Sequence, residues 1–288
     1  MSTLWKDIRF KLQHSGKLSA LIGINIIVFL GINIPDVFSW MATGQHPVLM
    51  FAHDYLSLPA YLPNLAQHFW TPVTYMFMHA GIWQVLFNML WLFWMGQLFE
   101  EYLGNKRILG LYIFGGLGGA ILFIAAFNLI PVFSKGDALL ISSVVGAPAC
   151  VMAIIIATAT LLPDYTIFLF LIGPVKLKWL ALFYVLLDFL LIVLSPEAEI
   201  AHLGGALTGF LYIKSLQRGH DWNALFTGLF KKKSKLKVTS KNNAVKNNDS
   251  TPRQDEIDRI LDKISQSGYD SLNKQEKETL FRASKDNE

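Results

Sequence analysis

Three short polar clusters interrupt otherwise apolar stretches of this 288-residue chain, and their residue types are those of hydrolytic chemistry. The first runs from His79 through Gly81 and Gln84 to Asn88. The second is Gly146-Ala147-Pro148-Ala149. The third is Ala201-His202-Leu203-Gly204-Gly205, continuing to Gly209. Gln84 and Asn88 are four apart, so a helix places both amides on one face as donors toward whatever packs there. Gly204, Gly205 and Gly209 let a second helix approach closely, which would bring His202 against the helix that begins near Pro148. A histidine facing the start of another helix has the geometry of a general base beside a nucleophile. Each cluster alone also has an ordinary explanation, because buried amides bond across helices and small residues at this spacing pack them together.

The elements that position these clusters follow from composition. Hydrophobic residues make up 53% of the chain and charged residues only 16%, against about a quarter charged in soluble domains. No Lys or Arg occurs between Lys17 and Lys106. A helix needs about 20 mostly apolar residues to cross the hydrocarbon core. Six stretches qualify, at 18–40, 81–98, 108–130, 149–162, 179–194 and 200–216, the fourth and sixth being short. Basic residues fall before the first span (Lys6, Arg9, Lys11, Lys17), between the second and third (Lys106, Arg107), between the fourth and fifth (Lys176, Lys178) and at the end of the sixth (Lys214, Arg218). The positive-inside rule then puts both termini in the cytoplasm and requires an even number of spans. Asp188, midway along the fifth span, would bond to a neighbouring helix.

Outside the spans, residues 1–17 read as a cytoplasmic amphipathic segment at the membrane surface. The aromatic, semi-apolar loop 41–70 suits the outer interface. Residues 217–250 read as a basic, flexible linker whose run Lys231–Lys237 attracts anionic lipid. Residues 251–288 read as a small helical hairpin: Thr251-Pro252-Arg253-Gln254 forms a capping box, Gly268 a stop, and Asn273 a second cap. The single cysteine, Cys150, excludes a disulfide within the chain and any cysteine-based zinc cluster. No cofactor, metal, nucleotide or nucleic-acid site is signalled; the basic balance is placed by topology.

Taken in order, the clusters resemble the rhomboid family of intramembrane serine proteases, over about residues 18–216. His79, Asn88, Gly146 and Ala201-His202-Leu203-Gly204-Gly205 match the family pattern, as do Trp70-Thr71, Thr74-Tyr75, Glu100-Glu101 and Leu103-Gly104 around the second span. The segment Ile260–Asp270 is similar to an appendage of some bacterial rhomboids. The resemblance implies an all-α membrane protein, a rhomboid-like bundle of six transmembrane helices with a cytoplasmic C-terminal tail, in a bacterial inner membrane. It also implies site roles: His202 as the base, Asn88 and residue 84 as oxyanion donors, residue 148 as the nucleophile.

Departures fall on those positions. The serine position holds Pro148, the second oxyanion position holds Gln84 instead of histidine, and the following glycine is Ala149. Proline removes both the hydroxyl and the backbone N–H donor, yet the first turn of a helix accepts it. Gln84 retains an N–H₂ that can still donate. Cys150 would face away from His202, and Ser142 and Ser143 lie in the preceding loop. Two readings follow. One is a proteolytically inactive rhomboid that binds transmembrane clients or membrane partners; the other is an active serine-type endopeptidase using a non-standard nucleophile. A transporter is disfavoured by the lack of inverted repeats.

Overall fold

A computed structural model of the chain describes residues 16–169, 173–224 and 254–285. The expected N-terminal segment, apart from Gly16 and Lys17, lies outside the described residues. So do residues 225–250 of the basic linker and Thr251, Pro252 and Arg253 of the first capping box. The chain divides into two compact units, 1–232 and 233–288.

The first unit is an all-α membrane bundle. Its helices in chain order are α1 (Lys17–Thr43), α2 (Pro47–Leu56), α3 (Leu62–Gln67), α4 (Thr71–Thr74), α5 (Ile82–Leu103), α6 (Asn105–Leu129), α7 (Ala138–Ile141), α8 (Pro148–Leu161), α9 (Leu177–Leu191) and α10 (Pro196–Gln217). Helices α1, α5, α6, α8, α9 and α10 coincide with the six expected spans. Three of them, α1, α5 and α6, are long and apolar enough to cross a membrane by length and composition. Helix α8 has 14 residues, or about 21 Å, short of the roughly 30 Å hydrocarbon core. Every residue from Ala149 to Ala159 is buried, so α8 is the core of the bundle.

Helix ends follow local chemistry. Gly44 adopts a left-handed conformation, φ 73°, and its N–H caps α1 at Trp40. Pro148 and Pro196 open α8 and α10, where a missing N–H breaks no helical bond. Glu197 and Glu199 occupy the first turn of α10, the end that favours negative charge.

Two tyrosines tie the bundle to the segment before α5. Tyr75 Oη donates to Gly116 O at 2.6 Å, and Tyr112 Oη donates to Met76 O at 2.8 Å while accepting from Asn25 Nδ2 at 3.1 Å. Asp36, an acidic residue within the first span that the sequence reading passed over, is buried. It joins α1 to α2 by accepting from Leu49 N at 2.9 Å and facing His46 Nδ1 at 2.6 Å.

Two small antiparallel pairings also occur. Strand β1 (Leu58–Pro59) pairs with β2 (Ser143–Val144), Leu58 opposite Val144, so the loop after α1 is laced to the segment leading into α8. Strand β3 (Thr166–Leu169) pairs with β4 (Gly173–Lys176) between α8 and α9.

In the second unit, α11 (Gln254–Ser267) and α12 (Lys274–Lys285) flank Gly268, which takes φ 73°. Asn273 Oδ1 accepts from Glu276 N and Glu276 Oε2 accepts from Asn273 N, both at 2.8 Å. This is a reciprocal capping box at the residue the sequence singled out.

Candidate functional site

Glycine decides how closely the site helices meet. A Cβ on Gly205 would overlap the Ala149 carbonyl, and one on Gly209 would overlap the Ala153 carbonyl. The four-residue steps match in the same chain direction, so α8 and α10 run parallel at this contact. Gly204 meets Gly118 and Gly119 of α6, and Gly119 also meets Ala149 and the Ala201 carbonyl. Helix α6 contributes Gly115, Gly116, Gly118 and Gly119, a run visible in the sequence but outside the three polar clusters. His202 precedes Gly205 by three residues, about 4.5 Å along the helix, and therefore lies at the Pro148 end of the α8–α10 contact.

At that end, Gly146 has φ +114° and donates its N–H to Tyr75 O at 2.8 Å. A Cβ there would strike the Gln84 amide and the Pro148 ring, so only glycine fits. Gln84 and Pro148 thus flank Gly146, but the Gln84 amide is engaged. Nε2 donates to Val145 O at 3.2 Å and Oε1 accepts from Ala80 N at 2.8 Å. The sequence left Gln84 as a free donor; in the fold it holds the loop before α8. Asn88 Nδ2 is buried without a hydrogen-bond partner. His79 lies in the approach to α5, its Nδ1 3.3 Å from Phe77 O, and burial pulls its imidazole down to about 4, so it is neutral near pH 7.

His202 faces acids. Its Nδ1 lies 3.2 Å from Glu199 Oε2, one turn back on α10, and 3.5 Å from Asp188 Oδ1 on α9. The helix partner expected for Asp188 is therefore α10. Glu199, just outside the third polar cluster, is buried within α10. Its i, i+3 spacing from His202 was the available signal.

The substitute nucleophiles are also placed. Cys150 is buried, its Sγ against Gly116 of α6. Ser142 Oγ donates to Glu197 Oε1 at 2.9 Å. Ser143 Oγ lies 3.2 Å from His53 Nε2, and His53 Nδ1 lies 3.9 Å from Asp54 Oδ1. These residues line a cavity of about 450 Å³ between the loop after α1 and the β2 segment.

An all-α membrane bundle with this glycine-packed trio of helices around a histidine has the architecture expected of the family named above. A family model described as the rhomboid domain matches residues 66–218. The chain belongs to the rhomboid family. A second model, for a family of unknown function (DUF6576), matches residues 243–286. Among similar curated proteins of Arabidopsis thaliana, RHOMBOID-like protein 1 is 31% identical over 144 residues, 49% of this chain and 33% of that protein. The mitochondrial RHOMBOID-like protein 12 is 28% identical over 157 residues, 52% of this chain and 47% of the relative. The chloroplastic Rhomboid-like protein 16 is 29% identical over 127 residues, 43% and 38% respectively. The chain thus spans between a third and a half of the length of these relatives.

Proposed function

We propose that this chain is a proteolytically inactive rhomboid that binds transmembrane clients or membrane partners, with anionic lipid engaging its basic tail. The observation that carries the reading is Pro148 at the first position of α8, where it offers neither a hydroxyl nor an N–H. Loss of the serine from a hydrolytic triad costs on the order of 10⁶ in kcat. The engagement of Gln84 with Val145 and Ala80 adds a second deficit. Its donor is already spent on the loop, and removal of one oxyanion donor costs about 10²–10³. The helix-packing surfaces of α6, α8 and α10 need none of these groups, so a client-binding scaffold can persist without the chemistry. The distribution of Lys and Arg supports an orientation with both termini in the cytoplasm; the bacterial inner-membrane location rests on the likeness of Ile260–Asp270 to an appendage of some bacterial rhomboids.

The second reading, an active serine-type endopeptidase, rests on Ser143 and His53. The pair has base-to-nucleophile spacing, but Asp54 is beyond hydrogen-bond range of His53 Nδ1, so among the described residues no acid fixes the imidazole tautomer. The test is reconstitution in vesicles with a single-span rhomboid substrate carrying a photo-crosslinker. The expected result is crosslinking to full-length, uncut substrate. Fragments that disappear with Ser143→Ala or His53→Ala would replace this reading with the second.

A further inference from the structure

Asp188, Glu199 and His202 each present a ligand atom, and these atoms all lie within 4.8 Å of one another. Both acidic side chains are largely buried, Asp188 at 8% exposure and Glu199 at 12%. Asp188 Oδ2 and Glu199 Oε2 are buried with no hydrogen-bond partner. Glu199 Oε2 is informative, because it lies 3.2 Å from His202 Nδ1 yet makes no hydrogen bond to it. The oxygen is within range but off the line of the ring N–H. Atoms that share a partner between them have this relation, as do the members of an imperfectly aligned ion pair.

We propose that Asp188, Glu199 and His202 form a binding site for a divalent transition-metal cation, with Zn²⁺ the best match. Zinc bonds to imidazole and carboxylate of about 2.0–2.2 Å, in a tetrahedral arrangement, separate the ligand atoms by roughly 3.3–3.6 Å. The separation of Nδ1 from Asp188, 3.5 Å, lies within that range and that from Glu199, 3.2 Å, just below it, while the two carboxylate atoms lie within 4.8 Å of each other. One nitrogen with two carboxylates suits zinc better than magnesium or calcium, which take six or more oxygens. The Glu199-Ile200-Ala201-His202 run puts both α10 ligands on one helix face, the Glu-x-x-His device of carboxylate metal sites in helical bundles. Two carboxylates within an apolar bundle are costly without compensation, and one dication offsets both. Bound metal would fasten α9 to α10, and a fourth position would stay open to water or a polar ligand. The His202 side chain, 21% exposed, supplies the way in. Sequence spacing gave no metal signature because the ligands come from two helices. The proposal stands whether or not the chain cleaves peptides.

The test uses full-length protein in nanodiscs, stripped with chelator, equilibrated with Zn²⁺ alone and desalted before metal analysis. One zinc retained per chain is expected, with thermal unfolding shifted upward by zinc and unmoved by Mg²⁺. Asp188→Asn with Glu199→Gln should lose the zinc, whereas His53→Ala should keep it. Folded wild-type protein that retains no zinc would overturn the proposal, as would undiminished zinc in the folded double variant. If the double variant does not fold, X-ray absorption of the zinc-loaded wild type decides: one imidazole nitrogen with carboxylate oxygens is expected, and several imidazoles or a sulfur ligand would overturn it.

Discussion

Position 148 separates what the backbone tolerates from what the chemistry needs. At the first residue of α8 a proline costs the helix nothing, while a hydrolase loses its nucleophile and an adjacent donor together. Gln84 compounds the loss, since its amide holds the loop before α8. A consequence is that Pro148→Ser alone should be a poor repair. Labelling by a fluorophosphonate probe is expected to rise in Pro148→Ser with Gln84→His by a further ~10²–10³ over Pro148→Ser, the range for one oxyanion donor; equal labelling would show that Gln84 is no obstacle. Tyr112 is a residue of a different kind, with its hydroxyl bonded to Met76 O and Asn25 and no route to water. Tyr112→Phe should leave those partners unsatisfied and lower stability by about 1–3 kcal/mol, read as reduced thermal stability in detergent. The motif residues were legible in the sequence one by one. The engagement of Gln84 and the pairing of Ser143 with His53 were not, because both depend on how loops close over the helix ends.

Among the elements, α10 is held by backbone-to-backbone proximity that only glycine permits. Gly205→Ala drives a Cβ into the Ala149 carbonyl, and neither helix backbone can yield locally. A cost of about 1–3 kcal/mol or more is expected. Gly23→Ala on α1 is the control: nothing lies within 4 Å of a Cβ there, and helix propensity alone favours alanine by about 1 kcal/mol. Thermal unfolding of the two variants side by side should show a fall for the first and none for the second; equal behaviour would contradict the packing account. Six helices could be read from apolar runs because a membrane leaves the backbone few alternatives. Their glycine contacts were only half legible. The third cluster announced the α10 glycines, but the four on α6 carry no polar neighbour to draw attention. The two small strand pairings left no period-2 signal, being set by contacts distant in sequence.

At the scale of the whole chain, membrane unit and C-terminal unit respond to different variables. In the latter, the Glu276 carboxyl is held below the ordinary range, first by the Asn273 N–H and then by Lys263 Nζ at 2.9 Å. A depressed carboxyl stabilises fully above its unfolded value, about 4.3, and that contribution fades as pH falls through the folded value. Protection of the Asn273 amide from hydrogen exchange in the full-length chain should therefore weaken on acidification below about pH 4. Glu276→Gln should flatten that dependence; an unchanged profile would mean that the capping box is not formed. The membrane unit carries the central claim, that a rhomboid bundle has been kept while its nucleophile has not. The most direct measurement is fluorophosphonate labelling of the purified wild-type protein in nanodiscs, beside the Pro148→Ser/Gln84→His variant. The account predicts no labelling of the wild type and labelling of the variant that His202→Ala abolishes. Wild-type labelling that vanishes with His202→Ala, Ser143→Ala or His53→Ala would contradict it.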